Sequence, residues 1–96
     1  MIILNVKITV KSGKRDQLIS KMENLIKSTR LESGCISYDL YSSTEDENVL
    51  MMLEQWESKE ALDSHTQTDH FKAFGKAIKE YLAKEMEINA YSAEKI

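Results

Sequence analysis

One run of eight residues, 49–56, limits the fold because its apolar side chains would lie on both faces of a strand. The two sets alternate: Val49, Met51 and Leu53 on one face, and Leu50, Met52 and Trp56 on the other. A sheet with one solvated face shows apolar residues on one side only. This run therefore predicts a central strand that is covered on both sides. Glu54 interrupts the run, so its carboxylate is expected to lie in a pocket or to pair with a partner.

The rest of the chain alternates between strand and helix patterns. Strands are predicted at residues 2–11, 35–42 and 86–91, where apolar and polar residues alternate. In the second of these strands, Ile36, Tyr38 and Leu40 are expected to share one face. Amphipathic helices are predicted at residues 14–30, 59–66 and 69–82.

Local signals mark where some of these elements begin and end. Ser58 is a good N-cap for the helix that begins at residue 59. Gly34 is expected to end the first helix in a positive-φ conformation. Both signals agree with the boundaries that the periodicity predicts.

The order β-α-β-β-α-β, with its second helical layer broken in two, predicts a ferredoxin-like α+β sandwich. In that fold the helices cover one face of an antiparallel sheet. The apolar third strand then needs a cover on the other face, which a second copy of the sheet can supply. We therefore expect a homodimer that packs sheet to sheet about a two-fold axis. Residues 1–96 are expected to form a single domain, because a chain of this length builds one core.

Composition excludes several classes of function. The chain has 16 acidic and 13 basic residues, a formal charge of −3 and no basic stripe, which argues against a nucleic-acid partner. No apolar run is long enough to cross a membrane. The single cysteine, Cys35, cannot form an internal disulfide, and the N-terminus lacks the pattern of a secretory signal. We expect a soluble, cytoplasmic protein.

The two histidines, His65 and His70, are the candidates for acid–base chemistry. Five residues apart on one continuous helix, they would point about 140° apart. Residues 66–69 are rich in helix-capping side chains, however, and Thr68 or Asp69 is a plausible N-cap for a new helix. A break there would let both rings converge on one pocket, whereas without convergence they are two surface histidines. A metal centre is disfavoured, because the spacing is not that of a helical zinc pair and no third ligand is apparent.

Four segments carry a resemblance to a known family. They read ESGCISYDLY at residues 32–41, EQWES at 54–58, ALxxH at 61–65 and HFKAF at 70–74. Together they resemble the antibiotic biosynthesis monooxygenase family over residues 3–91. The resemblance implies a dimeric α+β barrel with a pocket between helices and sheet in each subunit. The family includes enzymes that oxidise polycyclic phenols or quinols with molecular oxygen and without flavin, metal or haem.

The resemblance also implies roles for particular side chains. A small aromatic substrate would lose a proton to a base and then reduce oxygen itself, with oxygen as co-substrate and no cofactor or metal. His65 or His70 is the expected base. The expected pocket residues are the apolar walls Trp56, Phe71 and Phe74 and the hydrogen-bonding groups Tyr38 and Glu54.

Other functions on the same fold stay open. A haem-degrading branch of the family uses Asn, Trp and His at positions that fall here on Val6, His65 and Gly75, so haem degradation is disfavoured. A similar isomerase acts on a phosphorylated sugar, but no basic cluster flanks the histidines here. The chain could also be a non-enzymatic module that binds a small apolar ligand.

Overall fold

One antiparallel sheet with helices on one face organises the chain. The computed structural model describes residues 1–96. The elements are β1 (Ile2–Thr9), α1 (Arg15–Arg30), β2 (Cys35–Ser42), β3 (Val49–Trp56), α2 (Lys59–Thr66), α3 (Asp69–Ala77), a 3₁₀ turn (Ile78–Tyr81) and β4 (Glu87–Ser92). The strand order in the sheet is β2-β3-β1-β4, with every neighbouring pair antiparallel. This topology confirms the ferredoxin-like α+β fold.

The hydrophobic core lies between the sheet and the helices. Strand β1 contributes the alternate residues Leu4, Val6 and Ile8, which are all buried. Helix α1 contributes one apolar face, made of Leu18, Met22 and Leu25. The alternation in β1 and the helical periodicity in α1 therefore predicted which side of these two elements is buried. None of the helices combines the length and the apolar character required to span a membrane.

Strand β3 is central and apolar on both faces, as predicted. It pairs with β1 on one side and β2 on the other. Leu50, Met52 and Trp56 are buried beneath the helices. On the opposite face of the sheet Leu53 is 42 % exposed, because no helix lies over that face. The register places Tyr41 of β2 on the same open face, and it is also exposed.

The last helical segment differs from its prediction. Residues 69–82 were expected to form one helix, but α3 ends at Ala77 and the chain tightens into the 3₁₀ turn. The end of β1 accounts for the change. Lys11 N donates to the Tyr81 carbonyl at 2.8 Å, and Ala83 N donates to the Thr9 carbonyl at 2.9 Å. These sheet-like bonds draw the segment out of α-helical geometry.

Strand β2 also departs from simple alternation. Its register against β3 shifts between Cys35 and Ser37, which leaves Ile36 in a bulge. Ile36 is 49 % exposed, although it was expected to share a face with Tyr38, which is buried. A bulge adds one residue to a strand and changes the side to which the following residues point.

Two features require glycine at position 34: a positive φ angle and the close approach of Ala61. Its φ is +86°, and a Cβ at this position would lie 2.6 Å from the Cβ of Ala61 in α2. Gly13 has a similar φ of +80°, but nothing lies within 4 Å of its would-be Cβ. We expect Gly34→Ala to lower the free energy of unfolding by about 2–5 kcal/mol, and Gly13→Ala by only about 1–2 kcal/mol, in urea titrations. Equal losses in the two variants would show that the contact with Ala61 is unimportant.

Candidate active site

A break between α2 and α3 positions the two histidines. Thr68 has an extended backbone (φ −72°, ψ 152°) and caps α3, since its hydroxyl accepts a hydrogen bond from Phe71 N at 3.2 Å. The same hydroxyl donates to the His65 carbonyl at 2.8 Å. The predicted interruption after Thr66 is therefore confirmed. His65 lies at the end of α2 and His70 at the start of α3, with ring centroids 6.1 Å apart.

Glu32 connects the two imidazoles. Its Oε2 lies 2.7 Å from His65 Nδ1 and 2.7 Å from His70 Nε2. An ionised carboxylate is an acceptor only, so both ring nitrogens must present an N–H to it. The neutral His65 ring then carries its lone pair on Nε2, which makes no hydrogen bond to the protein. The His65 side chain is 2 % exposed and that of Glu32 is 13 % exposed.

A cavity of about 320 Å³, lined mainly by apolar side chains, lies between the sheet and the helices. Strands β1, β2, β3 and β4 and the helices α1, α2 and α3 all contribute to its wall. Five of the predicted site residues line it: Tyr38, Glu54, His65, Phe71 and Phe74. The His65 ring is held between the edges of two of them, with centroids 5.6 Å from Tyr38 and 5.0 Å from Phe71. The two other predicted residues, Trp56 and His70, lie outside the cavity wall.

Trp56 does not line the cavity, contrary to the prediction, but it contacts two residues that do. It is fully buried at the end of β3, and its ring packs against His65 with centroids 4.7 Å apart. The indole Nε1 donates to Glu54 Oε1 at 3.1 Å. Trp56 therefore fixes the positions of two cavity groups, an imidazole and a carboxyl.

Glu54 is a buried carboxyl whose ionisation falls near neutral pH. Burial raises its pKa to about 7; the hydrogen bond from Trp56 opposes this rise, and the negative charge of Glu32 adds to it. Tyr38 lies directly opposite Glu54 in the β2–β3 register. Burial, and then the charge of Glu54, raise the pKa of the Tyr38 phenol. The cavity thus holds a phenol that stays protonated and a carboxyl that exists in both forms around pH 7.

The positions that the haem-degrading branch uses for its site are occupied differently here. Val6 and Gly75 both line the cavity, and neither side chain can bind a metal. Asn5 lies on the other face of the sheet, where its Oδ1 accepts from Asn89 Nδ2 at 3.2 Å. The side chain of Asn5 therefore points away from the cavity.

The structure brings a third potential metal ligand, Glu32, to the two histidines, which the sequence did not reveal. One ligand atom from each of Glu32, His65 and His70 lies within 4.8 Å of the other two. Glu32 belongs to the loop between α1 and β2, far from both histidines in sequence. Its position within the segment ESGCISYDLY was the only sign of it in the sequence.

Comparison with known proteins agrees with this fold and with the predicted family. The family profile of the antibiotic biosynthesis monooxygenases matches residues 1–77. The Bacillus subtilis (strain 168) protein named "Putative monooxygenase YcnE" is 35% identical over 88 residues, which are 92% of this chain and 93% of the relative. The Escherichia coli (strain K12) protein named "Probable quinol monooxygenase YgiN" is 29% identical over 73 residues, or 68% of this chain and 70% of that protein.

A solved structure has the same fold. The crystal structure of a conserved protein from Methanosarcina mazei Go1 is 38% identical, with a TM-score of 0.93 over 97% of this chain and 92% of that one. The profile match and the names of the relatives support a monooxygenase-type function. The chain belongs to the antibiotic biosynthesis monooxygenase family.

Proposed function

We propose that this protein is a cofactor-independent monooxygenase that oxidises a small quinol or another hydroxyaromatic compound with molecular oxygen. The observation that carries the proposal is the His65 ring, which lines an apolar cavity while Glu32 holds its Nδ1–H from outside. The family membership and the quinol monooxygenase name of one relative support the same reaction class. At about 320 Å³ the cavity is at the small end of ligand pockets, which favours substrates of one or two rings.

In the proposed mechanism His65 removes the phenolic proton. Its Nε2 has no protein partner and is the nitrogen available to a ligand in the cavity. The Glu32 carboxylate keeps the ring in the Nδ1–H tautomer and stabilises the imidazolium that forms, as carboxylates do for catalytic histidines elsewhere. Imidazole exchanges protons near neutral pH, which suits it to this role.

The deprotonated ring then supplies the electrons for oxygen reduction. A phenolate is electron-rich enough to transfer electrons to molecular oxygen and form a peroxide at a ring carbon. Loss of water from that peroxide leaves one oxygen atom as a new carbonyl and releases the other as water. The substrate loses two hydrogens and provides all four electrons, so no external reductant is needed. The apolar wall keeps bulk water from the reactive intermediate.

Two further groups in the cavity are suited to hold the oxygen atoms of the substrate. The Tyr38 phenol is a hydrogen-bond donor over the whole neutral range, because its pKa is raised. Protonated Glu54 is a second donor, and its pKa of about 7 lets it return a proton during the reaction. Phe71 and Phe74 provide apolar surface for the planar ring.

His70 takes the role of a positioning residue in this scheme. It does not line the cavity, and its Nε2–H is directed to the same Glu32 oxygen that holds His65. A second hydrogen bond fixes the carboxylate in the orientation that His65 needs.

We also propose that two copies associate through the open face of the sheet. Leu53, Tyr41 and Tyr91 are all about half exposed on that face, with no helix over them. A second sheet packed there would remove this apolar surface from water. Light scattering at micromolar concentration is expected to give the mass of a dimer, and Leu53→Lys is expected to give that of a monomer. A monomeric wild-type protein would contradict this arrangement.

The reaction itself is tested by oxygen uptake. Purified protein is incubated with naphthoquinols and with three-ring anthrones, and the rate is compared with spontaneous autoxidation in buffer. We expect catalysed uptake with at least one two-ring substrate and slower turnover of the larger anthrones. If every rate equals the uncatalysed one while the same compounds still raise the Tm, the protein is a binding module and the proposed reaction is wrong.

A further inference from the structure

Three potential metal ligands meet outside the cavity, on the Nδ1 side of His65. Glu32 Oε2, His65 Nδ1 and His70 Nε2 are joined by two contacts of 2.7 Å. The three side chains come from the α1–β2 loop, the end of α2 and the start of α3. Neither Glu32 nor His70 lines the cavity, so this cluster is separate from the space proposed for the substrate.

We propose that Glu32, His65 and His70 bind a divalent transition-metal ion, with zinc as the expected occupant. Two imidazole nitrogens and one carboxylate oxygen form a ligand set that suits zinc and its first-row neighbours. Calcium and magnesium prefer sites made of oxygen ligands, so they are not expected here. A site of three protein ligands leaves a coordination position for water.

A limited rearrangement of the three side chains would admit the ion. Ligands about 2.0–2.1 Å from one tetrahedral zinc lie roughly 3.3 Å apart, so each 2.7 Å contact must open by about 0.6 Å, whereas the two ring nitrogens, which lie within 4.8 Å of each other, must approach by up to about 1.5 Å. The side chains of His70 and Glu32 are 20 % and 13 % exposed, which gives the ion a route from solvent. The negative charge of the Glu32 carboxylate attracts a cation.

Metal binding would prevent His65 from accepting the substrate proton; this expected effect rests on the proposed function. A nitrogen that binds a metal cannot carry a proton. The neutral His65 ring would therefore move its proton from Nδ1 to Nε2 and present an N–H to the cavity in place of a lone pair. Zinc is then expected to inhibit substrate deprotonation without occupying the cavity.

Titration of the metal-free protein with zinc tests the site directly. After dialysis against a chelator, calorimetry is expected to show one ion bound per chain, and cobalt is expected to give visible absorption bands of low-coordinate geometry. Glu32→Gln and His70→Ala should each weaken zinc binding at least about 100-fold, the upper end of what loss of an outer-shell partner costs. Glu57→Gln is the matched control, because Glu57 is exposed near Gly34 but outside the cluster, and its affinity should stay within about twofold of wild type.

The possible results separate the metal site from the proposed reaction. The site is refuted if wild type binds no ion stoichiometrically, or if Glu32→Gln and His70→Ala bind zinc as tightly as wild type while circular dichroism shows that they are folded. His70→Gln, which keeps the side chain polar, replaces His70→Ala if the latter unfolds. Stoichiometric binding without inhibition of oxygen uptake would establish the site and contradict His65 as the base.

Discussion

Replacing His65 with glutamine is expected to lower kcat/KM for quinol oxidation by about 10²- to 10⁴-fold. This is the range that a positioned general base contributes. Glutamine keeps most of the side-chain volume at a position whose side chain is only 2 % exposed, so the loss would not result from a collapsed cavity. Oxygen-electrode rates on a two-ring quinol at pH 7, corrected for autoxidation, provide the measurement.

His70→Ala is the comparison that separates a base from a positioning group. His70 touches Glu32 and lies outside the cavity wall, so its removal is expected to cost only about 10-fold in kcat/KM. His70→Gln retains an N–H for the carboxylate and should recover most of that loss. If His70→Ala were as inactive as His65→Gln and glutamine gave no rescue, His70 would be the base and the assignment made here would be reversed.

Glu54→Gln is expected to change the pH dependence of stability by about 3 kcal/mol between pH 4.5 and 8.5. Burial raises the pKa of Glu54 from 4.5 to about 7, so in this window the unfolded chain releases a proton that the folded chain retains. The free energy of unfolding of the wild type therefore falls as pH rises from 4.5 and levels off above about 7. Glutamine cannot ionise, and the variant lacks this loss.

Urea denaturation of wild type and Glu54→Gln at several pH values measures the effect. Taking the difference between the two proteins cancels the titration of groups that they share. The groups that face the Glu54 carboxyl are Tyr38 on β2, Trp56 on its own strand and, at longer range, the charge of Glu32. A difference that stays constant with pH would show that Glu54 ionises at its ordinary value and would remove it as a proton donor near neutrality.

Periodicity predicted most of the fold because it reports on burial directly. The alternation in β1 and the stripe of α1 identified which side chains are buried, and the two apolar faces of β3 identified the central strand. Periodicity does not record interactions between segments that are distant in sequence. The bulge at Ile36 and the 3₁₀ turn at Ile78–Tyr81 both arise from pairing with another strand, which no local pattern records.

The site was predictable as far as it lay within one segment. Capping residues between the histidines predicted the break that brings His65 and His70 together. Glu32 was missed as a functional residue because it precedes His65 by 33 positions, and only the packing of the α1–β2 loop brings it to the rings. The prediction for Trp56 was wrong in one respect. The pattern of β3 shows that Trp56 is buried, but it does not show that the His65 ring of α2 packs against it.

His65 and His70 share one carboxylate oxygen of Glu32, so the His70 ring can report on the state of the His65 ring. His70 lies outside the cavity, so a bound compound does not contact it. A proton gained by His65 must nevertheless alter the electron density of the Glu32 oxygen to which both rings are hydrogen-bonded. The ring resonances of His70 should therefore move when a ligand enters the cavity, which lets occupancy be followed from outside it.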